Sequence, residues 1–92
     1  MIRSFIHKGL EIFYRTGSKR GIDPNHSKRL RQYLALLDTA VTIDDMAAPG
    51  ARLHALRGSL DGYWAMTISG NWRFVFRLEE GEAYDVNYID YH

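Results

Sequence analysis

The stretch Trp72-Arg73-Phe74-Val75-Phe76-Arg77-Leu78 decides the architecture. It alternates without a break. Trp72, Phe74, Phe76 and Leu78 share one side, and Arg73, Val75 and Arg77 share the other. A repeat of two is the side-chain period of an extended strand. Burying the aromatic side leaves the arginines on the opposite face. Turn signals bracket the stretch: Gly70-Asn71 before it, Glu79-Glu80-Gly81-Glu82 after it. Beyond these turns lie two more extended runs, Tyr63 to Ser69 and Ala83 to Asp90. A fourth, Ala51 to Leu56, is joined through the turn Gly58-Ser59-Leu60-Asp61-Gly62. Strands joined by short turns predict an antiparallel meander.

The N-terminal half follows another rhythm. Met1 to Ile6 alternates weakly and is read as an extended first strand. Leu10, Phe13 and Tyr14 have helical spacing within His7 to Thr16, with Gly17 as a C-cap. Asp23-Pro24 is a helix start, an acidic N-cap followed by proline at the first helical position. That helix is predicted to run to about Ala40, with Leu30, Leu34, Leu37 and Val41 as its buried stripe. Thr42-Ile43-Asp44-Asp45 reads as a capped short helical turn, closed by Pro49-Gly50. The order β-α-α-(short α)-β-β-β-β is α+β, one domain over residues 1–92. One helical layer covers one face of the sheet and leaves the other for a site.

Composition narrows the function classes. The 92 residues are 46% hydrophobic and 25% charged, as in an ordinary globular domain. There is no cysteine, which removes disulfides, thiol catalysis and cysteine–zinc sites. Uncharged runs are too short to span a bilayer. Arg3, Lys8 and Glu11 interrupt the N-terminal segment where a signal peptide would be apolar, so a cytoplasmic location without membrane association is expected. The net charge of +1 hides an asymmetry. Residues 1–31 carry Arg3, Lys8, Arg15, Lys19, Arg20, Lys28, Arg29 and Arg31 against Glu11 and Asp23, a net +6; the remainder carries −5. Such a basic half either meets a polyanion or solvates helix surfaces.

The chemistry-bearing residues fall late in the chain. His7, His26, His54 and His92 form no HxxxH or HxH pair, and no acidic cluster has metal-ligand spacing. No glycine-rich phosphate loop or GxSxG elbow occurs. No metal or cofactor is therefore expected. If Leu53 and Ala55 face the helices, His54 faces away, as Arg73 and Arg77 do. Arg57 follows at the strand end, and Asp90-Tyr91-His92 follow the last strand. An imidazole, guanidinium groups, a carboxylate and a phenol suit RNA cleavage without metal. A base takes the ribose 2′-OH proton, an acid protonates the leaving 5′-oxygen, and arginines stabilise the phosphorane-like charge. The alternative is an arginine-rich solvated face beside a tail.

The segments Arg52-Leu53-His54-Ala55-Leu56-Arg57-Gly58, Gly62-Tyr63-Trp64, Asn71-Trp72-Arg73-Phe74-Val75-Phe76, Gly81-Glu82-Ala83-Tyr84 and Asp90-Tyr91-His92 resemble the HigB toxins of the RelE-like superfamily. Met1-Ile2-Arg3-Ser4-Phe5, Lys8-Gly9-Leu10 and the chain length also fit. The resemblance implies a small RelE-like domain. Its curved, antiparallel-dominated sheet would carry the N-terminal helices on one face, with the first strand beside the last. It implies the toxin of a type II toxin–antitoxin system, a ribosome-dependent endoribonuclease cutting mRNA in the decoding site. The implied partners are the ribosome, mRNA and a small HigA-like helix-turn-helix antitoxin, with operator DNA reached only through that antitoxin. The family's active-site positions match His54, Arg57, Arg73, Asp90, Tyr91 and His92. His54 and the Asp90-Tyr91-His92 group would move protons and position the strand, and Arg57 and Arg73 would hold the phosphate. Lys8, Arg15, Lys19, Arg20, Lys28, Arg29 and Arg77 would contact RNA or the ribosome. One departure stands out: the family often has lysine where this chain has Arg57. Arginine keeps the charge but is no proton donor at neutral pH. The competing readings are a degenerate module that only binds an antitoxin or RNA, a free nucleic-acid-binding domain, and a metal-dependent nuclease, which the missing carboxylate cluster disfavours.

Overall fold

The computed structural model describes residues 1–91, so His92 lies outside the described residues. Four strands form the expected meander: β1 (His54–Ala55), β2 (Trp64–Ser69), β3 (Trp72–Glu79) and β4 (Glu82–Asp90). They lie side by side in chain order, each pair antiparallel. Phe74 and Phe76 enter the core, as the alternation of β3 requires, together with Met66, Ile68, Val86 and Tyr88. The helices α1 (Lys8–Thr16) and α2 (Ser27–Thr39) close this core with Leu10, Phe13, Leu30, Leu34 and Leu37. Tyr33 of α2 packs its ring 5.6 Å from Phe74, and its hydroxyl donates to the Thr67 carbonyl at 2.6 Å.

Met1 to Ile6 lies beside β4, as the family resemblance implied. It runs parallel to that strand through the pairings Ile2↔Ala83 and Phe5↔Val86 rather than as a continuous ladder. Asp85 separates the two pairings. Its φ of 56° is left-handed, a conformation that aspartate tolerates better than most residues. Its backbone N–H donates to Ser4 Oγ at 2.8 Å.

Three sequence expectations need correction. Val41 is 68% exposed and does not belong to the buried stripe. α2 ends at Thr39, and Ala40 turns extended (φ −66°, ψ 136°), so the helical phase is lost one residue before Val41. Tyr33 takes the place on the stripe that the sequence reading left out. The predicted strand Ala51 to Leu56 shrinks to two residues, because Arg52 is left-handed at φ 54° and breaks the ladder. The helix after Asp23 begins as a 3₁₀ turn, Pro24–His26, before α2 proper; the Asp23 side chain caps it by accepting from the Asn25 N–H at 2.9 Å. The short turn at Ile43–Met46 is also 3₁₀. Asp45 accepts from the Val41 and Thr42 N–H groups there, and these bonds hold its carboxyl below the usual range.

His7 caps α1. Its Nδ1 accepts from the Leu10 N–H at 3.0 Å, which requires a neutral ring protonated on Nε2. Partial burial pushes its pKa down. The folded protein therefore binds fewer protons at His7 than the unfolded chain. This stability is complete above the imidazole's ordinary value near 6.5 and is lost as pH falls from there through the lowered value of the folded protein. The expected result is a lower Tm at pH 5.5 than at pH 7.5. The drop should shrink in His7→Asn, which caps without titrating in this range. Equal drops in both proteins, by calorimetry, would remove His7 as the cause.

Candidate active site

The face of the sheet opposite the helices is built in rows across the strands. His54 pairs with Ala65, Ala65 with Val75, and Val75 with Asn87. In the next row Thr67 pairs with Arg73, and Arg73 with Ile89. Beyond a register shift on the other side, Arg77 pairs with Tyr84. Ala65 and Val75 are small and buried, so the middle of this face is a floor. Longer side chains rim it: His54 on β1, Asn87 on β4, and the two arginines of β3 along the strand direction. Strand spacings put the His54 and Arg73 backbones about 12 Å apart, a span that their side chains shorten.

His54 is exposed, and its Nδ1 lies 2.8 Å from the Arg52 carbonyl. A carbonyl only accepts, so Nδ1 is the donor and the neutral ring keeps an acceptor lone pair on Nε2. The left-handed Arg52 that shortens β1 is also what aims this carbonyl at the ring. Arg73 is half-buried. Its Nη1 donates to the Gly70 carbonyl at 2.7 Å and to the Trp72 carbonyl at 3.0 Å. The β2–β3 turn thereby fixes the guanidinium, and no carboxylate pairs with it in these bonds.

Tyr91 is half-buried, and its backbone N–H donates to the Asn71 carbonyl at 2.8 Å, which ties the chain after β4 to the same turn. Strand parity places Tyr91 with Asn87 and Ile89 on the Arg73 face. Asp90 pairs with Trp72 and falls on the opposite parity, at the exposed rim. Arg57 is exposed and extended, just before the 3₁₀ turn Gly58–Leu60. The structure thus brings His54, Arg73 and Tyr91 to one face, with Arg57 and Asp90 at its margins.

Arg77 is engaged within the protein. Its Nε donates to Asp85 at 3.1 Å, Nη1 pairs with Glu79, and the guanidinium lies 5.9 Å from the Tyr63 ring and 5.3 Å from the Tyr84 ring. Burial would raise the Asp85 carboxyl, but hydrogen bonds from Tyr63, Arg77 and Ser4 outweigh it and hold the group below the usual range. The sequence reading set Arg77 beside the other RNA-facing cations, yet two carboxylates compensate its charge. Asn87 and Tyr63 went unnoticed. Asn87 stands between Val86 and Tyr88 on the alternate parity of β4, and its place in the row emerges only with the register of the sheet. Among the described residues, no three His, Asp or Glu side chains converge on a metal-sized site, and no helix is long and apolar enough to cross a membrane.

Residues 3–92 match the family described as the RelE-like toxin of type II toxin–antitoxin system HigB. The chain is 39% identical to Endoribonuclease HigB of Proteus vulgaris over 92 residues, covering all of both chains. It is 30% identical to Toxin HigB-1 of Vibrio cholerae serotype O1 over 94 residues, covering 100% of this chain and 98% of that one. Among solved structures, the YoeB–YefM complex of Staphylococcus aureus contains a chain that superposes with a TM-score of 0.64 at 16% identity, covering 100% of this chain and 95% of that one. At that identity the likeness speaks for the fold, an α+β domain of the RelE-like kind. Matched over nearly its whole length, the chain belongs to the HigB-like toxins of the RelE-like family, the toxin half of type II toxin–antitoxin systems.

Proposed function

We propose that this toxin is an endoribonuclease that cuts mRNA in the decoding site of the ribosome, without a metal ion, and so arrests translation in the cytoplasm. A relative bearing the name endoribonuclease supports the RNA substrate. The observation that carries the chemistry is the pairing on one face of a histidine with an acceptor Nε2 and an arginine held by backbone carbonyls. His54 Nε2 takes the 2′-OH proton. The 2′-oxygen attacks the adjacent phosphorus, and the bond to the 5′-oxygen breaks. That oxygen leaves with a proton from the Asp90-Tyr91-His92 end, and a 2′,3′-cyclic phosphate remains. Arg73, with Arg57 from the margin, stabilises the charge that grows on the phosphate oxygens. Tyr91 orients the sugar or stacks on the splayed base.

The ribosome supplies alignment. The face carries few proton-transfer groups, and a strand held in the decoding site for in-line attack needs less from the toxin. Lys8, Arg15, Lys19 and Arg20 on the basic half bind ribosomal RNA electrostatically, and so in a salt-dependent manner. A HigA-like helix-turn-helix antitoxin neutralises the protein and alone contacts operator DNA.

Induced expression beside an Arg73→Ala, Tyr91→Ala variant tests this reading. Growth arrest with new mRNA 5′-ends inside translated frames, both lost in the variant, is the expected result. A soluble, folded wild type that makes no cuts would leave a binding module instead. Cleavage on purified ribosomes should persist when EDTA strips any bound transition metal and the magnesium that ribosomes need is restored; loss of cleavage would point to such a metal. At Arg57 the charge is what counts. Arg57→Lys should keep cleavage within a few-fold, and Arg57→Ala should lose on the order of tenfold or more, as removal of a phosphate-facing charge does. Equal, near-wild-type rates for both would take Arg57 out of the site.

A further inference from the structure

We infer that the groove between α2 and the end of β2 binds a backbone phosphate of the mRNA strand beside the cleaved nucleotide, through Lys28, Arg29, Gln32 and Ser69. The inference rests on the proposed RNA substrate and extends it to a second contact along the same strand. The groove encloses about 790 Å³, within the ordinary range of ligand sites, roughly 300–1,000 Å³. Lys28, Arg29 and Gln32 line one wall, and Thr67 to Ser69 line the other. The lining is mostly polar. It contrasts with the smaller hollow of about 270 Å³ between α1 and α2, which Phe13, Tyr14, Leu34 and Ala35 make apolar.

The groove is built as well as charged. Arg29 Nη1 donates to the Ile68 carbonyl at 3.2 Å, which pins the guanidinium across the gap and uses one of its five donors. His26, only 7% exposed, stands at the end of the groove. The Tyr88 hydroxyl accepts from the Asp23 N–H at 3.3 Å and lies 2.6 Å from His26 Nδ1. This short bond at Nδ1 fixes the His26 ring and leaves Nε2 on its other side. That Nε2 is 3.8 Å from Asp23 Oδ2, and the ring meets Trp72 edge-on at 5.6 Å. A packed imidazole, two cations and an amide form a wall suited to a phosphodiester. The same carboxylate of Asp23, held by the Asn25 N–H, is the acid nearest His26.

The groove also continues the candidate site. β1 pairs only with Trp64 and Ala65 of β2; farther along the same side the Thr67 N–H donates to the Ala51 carbonyl at 2.6 Å and the Thr67 carbonyl accepts from Tyr33, which leaves side chains to form the wall of the groove. Thr67, which lines the groove, is the direct ladder partner of Arg73. An RNA strand passing Arg73 crosses β2 at Thr67 and meets Lys28 and Arg29 on the far side.

The test uses the whole protein and a fluorescent 2′-O-methyl oligoribonucleotide, which lacks the attacking hydroxyl. Binding is thereby read apart from cleavage. Lys28→Ala with Gln32→Glu changes two exposed positions and lowers the charge by two. Arg31→Glu makes the same change of charge outside the groove, beside the apolar hollow. The groove variant should weaken binding about tenfold, and the control no more than two- to threefold. Amide shifts on adding the oligonucleotide to the wild type should include Gln32 and Ser69. Equal losses in the two variants would reduce the groove to general charge and overturn the inference. So would oligonucleotide binding unchanged in the groove variant, including the cases where only sedimentation with ribosomes or only co-purification with the antitoxin suffers. A wild type that binds the oligonucleotide through the groove but cuts no mRNA would refute the proposed cleavage and leave the groove standing.

Discussion

Alanine at Gly9 is expected to remove a large part of the fold's stability. In the first turn of an exposed helix the same change is favourable by up to about 1 kcal/mol, because glycine is a poor helix former. Contact reverses the sign here. A Cβ on Gly9 would stand 2.4 Å from the Gly21 carbonyl oxygen and 2.8 Å from its carbon atoms; a Cβ on Gly21 would stand 2.5 Å from Gly9 Cα. Both obstacles are backbone, so no rotamer change relieves them. The chain at Gly21 must lift away from α1. Its neighbours Ile22, which is buried, and Asp23, which caps the turn leading into α2 and donates to Tyr88, would move with it. Overpacking of this kind costs about 3 kcal/mol or more, a large part of what a small domain has. Gly17→Ala is the internal comparison. Its φ of 81° is left-handed, but nothing lies within 4 Å, so only conformational strain of about 1–2 kcal/mol is expected. Denaturant unfolding should rank wild type, Gly17→Ala and Gly9→Ala in falling order. A Gly9→Ala protein as stable as wild type would show that the two backbones part at no cost.

The second large effect belongs to His54. His54→Ala should slow single-turnover mRNA cleavage on programmed ribosomes by 10²- to 10⁴-fold, the usual worth of a positioned general base. The fold should hardly notice. The side chain is exposed, and its ring bonds to the Arg52 carbonyl, which water can satisfy. A Tm close to wild type with a collapsed rate is therefore the expected pair of results. His54→Gln separates orientation from proton transfer, since an amide does not accept a proton as imidazole does; it should be nearly as slow as alanine. A rate within tenfold of wild type in both variants would move the base to the Asp90-Tyr91-His92 end.

Much of this was legible in the sequence, and the failures have physical causes. Strict alternation in β3 and the turn residues around it define a meander, because a period of two and a glycine turn are local properties. Arg52 reveals nothing locally, since its left-handed backbone is imposed by the surrounding structure; β1 was accordingly read too long. Val41 kept the helical period, but the helix had already ended. On the site face, His54 and Arg73 followed from alternation alone. Asn87 and Tyr63 did not, because their relation to the floor of Ala65 and Val75 depends on register across three strands. The compensation of Arg77 by Asp85 depends on a register shift in β4 that no spacing announces. The contact of Gly9 with Gly21 joins a helix to a loop, and two glycines among eight carry no mark of it.

The pairing of Ile2 with Ala83 and of Phe5 with Val86 has a consequence for timing. Synthesis runs from the N-terminus, so the first segment must wait, unpaired, until β4 has been made. The rows that carry His54 and Arg73 also need β4, through Asn87 and Ile89, to complete the sheet. Contacts this distant in sequence form slowly and late. The face that carries His54 and Arg73 is therefore incomplete on a nascent chain until β4 has left the site of synthesis.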